Sequence, residues 1–245
     1  MAAAAALIET TRRLIRRVRS GVLATTLAPR RGHPATPFTS LVTVAPAQDL
    51  SPLFWLSALA QHSRDLARDP RCSLLLAGPA VTPNPQTAPR ATLTGSAARI
   101  DDPALLARWH ALNPYAGWYS GLQDFSLWRL TIEAVHAVAG FAAASWIDPA
   151  VLAPDPGAVS AFSANEAAII ARCNADNVAS LCAIAAAGGG GGGAWRLVAA
   201  DPDGFDLGSG EAVLRIDFQD PVQSAAAFAA ALRRLAEALP QDDRA

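Results

Sequence analysis

The chain has 245 residues, half of them hydrophobic, and a formal net charge of −1. That length and apolar content support one large domain or two modest ones with buried cores, and the near-neutral charge excludes the global basic field of a nucleic-acid-binding protein. All 20 basic residues are arginine, so a lysine Schiff base, the usual enzymic anchor of pyridoxal phosphate, is excluded.

The three cysteines, Cys72, Cys173 and Cys182, are odd in number and widely spaced, with no C-x-x-C pair. A disulfide framework or structural zinc site is therefore not expected, and reduced thiols in a cytoplasmic protein are. Residues Met1 to Leu7 are small and apolar, with arginines following rather than preceding them, which is not the order of a signal peptide. No apolar run approaches the roughly 18 residues of a membrane span.

Leu7 to Arg19 has a rough helical face of Leu7, Ile8, Leu14, Ile15 and Val18, with arginines expected on the solvated side. Val22 to Ala28 reads as a strand, the Pro29–Pro34 segment as a turn, and Thr36 to Ala45 as a long strand with Phe38, Ser40, Val42 and Val44 on one face. Leu53-Phe54-Trp55 is strand-like. A tight polar turn and a short helix ending before Pro70 follow, and then a strand from Cys72. Ser57, Gln61, His62, Ser63 and Arg64 cluster at that turn. All can donate hydrogen bonds, and a helix start adds free amides and a positive dipole end, which together suit a phosphate.

After a Pro-rich loop, Pro79 to Pro89, the alternation from Arg90 to Ile100 reads as a strand. Asp101 or Asp102 caps a helix with Pro103 at its first position, ending at Ala111. Asn113 to Gly121 is irregular and aromatic. Asp124–Leu130 and Ala134–Phe141 read as two strands, and residues 147–160 as a linker rich in Pro, Asp and Gly. Beyond it, Asn165–Ala186 reads as one long helix and Gly188–Gly193 as a flexible connector. Trp195–Ala200 and Glu211–Phe218 read as strands around an Asp201–Gly204 turn, and Pro221–Leu239 as an amphipathic helix. Strand–helix–strand order with many short strands suits a small, mostly antiparallel barrel with helices at its rim.

The pattern L-S-x-L-A-x-H-S-x-x-L-x-x-D-P-R from Leu56 to Arg71 resembles the flavin-binding turn of the pyridoxamine 5′-phosphate oxidase-like split barrels, in particular their haem-utilisation flavoprotein branch. D-F-x-L-W-R-L from Asp124, followed by H-x-V-x-G-F from His136, resembles the end of that barrel domain. W-R-L at Trp195 with D-P-D-G-F-D-L at Asp201 resembles the branch's C-terminal domain. The resemblance covers roughly residues 10–148 and 160–238. It implies an α+β fold, an FMN-binding split β-barrel with peripheral helices over residues 1–148, and a small α/β C-terminal domain over 160–240. It also implies FMN as cofactor, held by Leu56, Ser57, Gln61, His62, Ser63 and Arg64. Thr39 and Ser40 are added on the strand segment Pro37–Val42, which lacks the oxidases' basic residues at both ends. Arg90 stands where the oxidases have a flavin-contacting Gln. A homodimer is implied, with Trp118 and Tyr119 reaching the partner's flavin. The branch often shows Asn in place of Asp65, so a negative charge lies near the expected phosphate.

Relatives often carry His-Met-Asn-x-Asp-His on the long helix of the second domain, where this chain reads Arg172-Cys173-Asn174-Ala175-Asp176-Asn177. Met or His ligation of haem iron by that run is excluded. The four histidines, His33, His62, His110 and His136, show no metal spacing, and no metal site is expected. The expected activity is that of an FMN-dependent oxidoreductase acting on a small molecule, with weak or no specific haem binding. The alternatives are a non-catalytic flavin- or ligand-binding protein and a haem-degrading flavoprotein relative.

Overall fold

A computed structural model describes residues 2–30, 32–119, 121–140 and 144–239. It divides into two compact units. The first comprises the chain up to Trp109 together with Trp118–Ala153; the second comprises His110–Gly117 and the chain from Pro154 onward.

The first unit is a curled antiparallel sheet with helices at its rim. In chain order it has α1 (Ala2–Arg17), β1 (Ser20–Leu27), β2 (Thr36–Thr43), β3 (Ala45–Pro46), β4 (Pro52–Ser57), α2 (Gln61–Arg68), β5 (Arg71–Ala77), β6 (Arg90–Ile100), α3 (Pro103–Leu112) as far as Trp109, β7 (Phe125–Val138), β8 (Ala144–Ile147) and α4 (Pro149–Leu152). The strand order is β2-β1-β5-β6-β7-β4-β3, with β8 also paired to β7. Alternation along β1 and β6 sends one face inward, as a period of two requires. The inward residues, among them Leu23, Phe54, Leu74, Leu93, Leu130 and Val135, are fully buried in one core that α1 and α2 close with Leu14, Ile15 and Leu66.

Several expected boundaries move for identifiable reasons. The long strand from Thr36 stops at Thr43, because the Val44 amide turns to the Arg19 carbonyl. The two strands expected from Asp124 and Ala134 are one strand, β7. Its middle, Thr131 to Glu133, is a bulge that leaves Glu133 as the extra residue opposite Thr94 and Gly95. Gly95 is needed there, since a Cβ would lie 1.9 Å from the Thr131 carbonyl oxygen. The Phe141 end of the expected strand and Arg31 of the expected turn lie outside the described residues. The arginines of α1 are not all solvated: Arg16 is fully buried and donates to the Ala47 and Gln48 carbonyls, both at 2.7 Å.

The expected linker at 147–160 is largely ordered structure. Asp148-Pro149 and Asp155-Pro156 each form a helix start, with the Asp side chain accepting a backbone amide and Pro at the first helical position. Composition alone made them look like a linker.

The second unit carries α5 (Pro156–Asp176), α6 (Val178–Ala187), β9 (Arg196–Asp201), β10 (Gly204–Ser209), β11 (Ala212–Asp217) and α7 (Ala225–Glu237). The single long helix expected from Asn165 is two helices meeting at Asn177. Strand β10, absent from the sequence-based expectation, is the centre of the sheet β11-β10-β9. Its Asp206 is buried because Arg215 is also buried and bonds to Asp201, Asp206 and Asp217 at 2.6–3.1 Å. The turn into β10 needs Gly204, at φ +155°, where a Cβ would meet the Ile216 carbonyl at 2.2 Å. The six-glycine run is pinned as well: the Gly190 amide donates to Ala185 and the Gly191 carbonyl accepts the Trp195 indole N–H. Helix α7 starts at Ala225 rather than Pro221, capped by Ser224. On α5, Asn174 bonds both the Leu197 amide and carbonyl, and Glu166 accepts the Ala200 amide, so the helix covers the β9 edge.

Candidate functional site

The turn between β4 and α2 is built by cross-links to neighbouring strands. Ser57 pairs with Phe125 at the start of β7, and its hydroxyl donates to the Asp124 carboxylate. The Leu59 amide in turn donates to the Ser57 hydroxyl, and the Ala58 amide to the Asp124 carbonyl at 2.7 Å. Asp124 thereby fixes the path into α2, a role its place at an expected strand start did not reveal.

Helix α2 opens without a cap. Ala60 supplies no side-chain acceptor, and no acidic residue stands in the first turn. The amides of Gln61, His62 and Ser63 precede the first helical hydrogen bond, which runs from Arg64 to Ala60. Ser63 is 1 % exposed, and its hydroxyl has no hydrogen-bond partner. A buried hydroxyl without a partner costs free energy, so this one sits where the chain supplies nothing to satisfy it. His62 is half-buried, and burial pushes its imidazole below its ordinary pKa against the opposing pull of Asp65. Arg64 is exposed at the same helix start.

Asp65 is wholly buried behind this start. It accepts from Thr25 on β1 at 3.0 Å and from the Gln61 side chain at 2.9 Å. Its carboxylate therefore ties α2 to the barrel, and the Gln61 amide group is already engaged. The hydroxyl of Ser57 is engaged too, and Leu56 points into the core. These three residues can offer a ligand backbone groups rather than free side chains.

The remaining expected contacts separate. On β2, Ser40 pairs with Leu23 and so shares the inward face of β1 that also carries Thr25, the residue bonded to α2. Thr39 is exposed on the opposite face. Arg90 pairs with Val138 at one end of β7, whereas Ser57 pairs with Phe125 at the other. Along β7 that separation is about 40 Å of strand, so one chain does not bring Arg90 to the turn. The Arg90 guanidinium donates to the Gln86 and Ala88 carbonyls. Trp118 and Tyr119 lie on the turn's own side: Trp118 packs on Tyr119, Tyr119 on Phe125, and Phe125 stacks on Trp55 with centroids 5.9 Å apart. Trp118 is 83 % exposed. Trp55 and Phe125 also wall a cleft of about 470 Å³ with Arg99 and the start of α3. Ser120, within the expected aromatic segment, lies outside the described residues.

No group of three or more His, Cys, Asp or Glu side chains among the described residues is placed to hold a metal ion. No helix among them is long and apolar enough to cross a membrane.

Residues 3–152 match the family model described as "CREG, beta-barrel". Over 127 residues the chain is 35 % identical to the non-canonical haem oxygenase HOZ, chloroplastic, of Arabidopsis thaliana; the match covers 51 % of this chain and 37 % of that protein. A protein of unknown function from Agrobacterium tumefaciens is 32 % identical, with 93 % of this chain and 94 % of that one covered and a TM-score of 0.75. A haem-binding protein from Mycobacterium smegmatis is 28 % identical, with 94 % and 96 % covered and a TM-score of 0.55.

Proposed function

The chain belongs to the CREG β-barrel family, within the split barrels that resemble pyridoxamine 5′-phosphate oxidase, and from that premise we propose that it is an FMN-binding oxidoreductase acting as a two-fold dimer on a small molecule. The observation that carries this reading is the uncapped start of α2 with the partnerless Ser63 hydroxyl. A phosphate monoester supplies the acceptors that three free amides and this hydroxyl lack. His62 and Arg64 add donors from the same turn, and Ser40 faces α2 from β2. The Ser57–Asp124 link holds the turn rigid, so the amides are pre-oriented before the ligand arrives. Bound FMN supplies hydride or single-electron transfer, which no side chain of this chain provides. The aromatic wall of Trp55 and Phe125 suits a planar substrate ring.

A second reading, haem binding or breakdown, is favoured by the names of the Arabidopsis and Mycobacterium relatives. The usual iron ligand is His, and this chain has four. His62 belongs to the phosphate turn, and His33 stands on an exposed turn between β1 and β2. Parallel titrations of purified protein with FMN and with haemin separate the two. Stoichiometric quenching of flavin fluorescence supports the first reading. A Soret shift that saturates at one equivalent and is lost with a single histidine, together with no flavin response, replaces it with the second.

A further inference from the structure

Helices α6 and α7 of the second unit flank a cleft of about 330 Å³ that the proposed function leaves unused. Small-molecule sites run from roughly 300 to 1,000 Å³, so this one is small, with room for about ten non-hydrogen atoms at the roughly 30 Å³ that one water takes. The cleft exists because the facing side chains are short. Ala179 and Ala183 lie one turn apart on α6, and Ala236 lies one turn beyond Leu232 on α7. Larger side chains at such positions interdigitate and fill the space between packed helices. Leu232 is buried in the core of the unit and gives the cleft an apolar floor. Three polar side chains, Asn177, Ser180 and Arg233, line the same cleft and have no hydrogen-bond or ion-pair partner among the described residues.

We propose that this cleft binds a small organic monocarboxylate, its apolar body on Leu232 and the three alanines and its carboxylate on Arg233. A guanidinium presents a planar fork that meets a carboxylate with two parallel hydrogen bonds. Ser180 and Asn177 add donors that the carboxylate oxygens accept. Charge sets the class. Arg233 balances one negative charge, and the Glu237 carboxylate on the same wall opposes a second. A phosphate monoester, which carries nearly two negative charges at neutral pH, is therefore disfavoured. A neutral ligand of the same shape leaves the guanidinium unanswered. The site thus differs in ligand from the start of α2, and it does not rest on the proposed function.

The test is methyl NMR on the ligand-free full chain, titrated with hexanoate, hexyl phosphate and 1-hexanol as probes. Hexanoate is expected to shift the Ala179, Ala183 and Ala236 methyl signals saturably. Hexyl phosphate and 1-hexanol are expected to bind more weakly by about fivefold or more at low salt. Arg233→Met keeps an apolar stem and removes the charge, and the exposure of Arg233 lets the fold persist. It is expected to weaken hexanoate by the same factor and to leave 1-hexanol unchanged. Ala183→Leu fills the cleft and is expected to remove the binding of both, with methyl signals elsewhere in the chain unmoved. No saturable shift at these methyls up to about 10 mM hexanoate, or hexanoate binding that Arg233→Met leaves unchanged, overturns the site. Hexyl phosphate or 1-hexanol binding as tightly as hexanoate overturns the assignment of a monocarboxylate.

Discussion

Replacing Ser63 with alanine separates the stability of the free protein from the affinity of its site. In the free chain the Ser63 hydroxyl is buried and without a partner. Such a group costs about 1–3 kcal/mol relative to a satisfied one, and alanine is also the better helix former by about 0.5 kcal/mol. A small void left by the lost oxygen offsets part of this gain. The net expectation is a protein stabilised by about 1 kcal/mol, a rise of about 2–4 °C in the melting temperature of a unit this size. With FMN bound the sign reverses: losing a hydrogen bond to a charged phosphate costs about 1.5–3 kcal/mol, which weakens binding about 10- to 150-fold. Differential scanning fluorimetry with and without FMN reads both effects on one sample. A melting temperature that falls by several degrees in the free protein shows that the hydroxyl has a partner, and an unchanged flavin affinity shows that it does not serve the ligand; either result removes Ser63 from the phosphate site.

Further outcomes follow from the same geometry. Asp65→Asn removes a buried negative charge from behind the helix start and keeps an acceptor for Thr25 or Gln61, so FMN affinity measured by fluorescence quenching should rise by up to about tenfold at low salt; weaker binding would show that the carboxylate supports the site. Because the native His62 pKa is depressed by burial, the unfolded chain takes up a proton more readily. Stability measured by urea titration should therefore fall as pH drops below about 6.5, while a bound phosphate draws His62 towards its protonated form and makes FMN affinity rise over the same window. His62→Gln should remove both trends. In the second unit, Arg215 is buried among Asp201, Asp206 and Asp217; burial alone would push its pKa down, and these carboxylates more than reverse that. Arg215→Met strands buried carboxylates at a cost of about 3–5 kcal/mol, and hydrogen exchange should accelerate across β9–β11; unchanged protection there would contradict the role assigned to the cluster.

What could be foreseen from the residues depended on whether burial followed polarity. The alternation of Arg90 to Ile100 and the turn-and-helix run from Leu56 to Arg68 are visible because local pattern suffices to place them, even though Ser63 and Asp65 are buried against their type. Strand β10 is not visible, since Gly-Phe-Asp-Leu-Gly-Ser becomes a central strand only when an arginine on β11 neutralises its buried aspartate. Arg16 reads as solvent-facing and is buried because two backbone carbonyls wait for it 31 and 32 residues on. The site shows the same division. The donor cluster at Gln61–Arg64 is a local feature and is legible, whereas the engagement of Ser57 by Asp124 and of Gln61 by Asp65 depends on tertiary contact. The opposite faces of Thr39 and Ser40 follow from a period of two, but only the position of α2 decides which face belongs to the site.

On the reading proposed above, the start of α2 binds the phosphate of a flavin nucleotide. Equilibrium titrations of the purified, ligand-free chain with FMN and with riboflavin, which has the same ring and no phosphate, test it directly. FMN is expected to bind stoichiometrically and riboflavin more weakly by at least about tenfold, the value of one charge-assisted hydrogen bond. Equal affinities for the two flavins, or no binding of either, would contradict it.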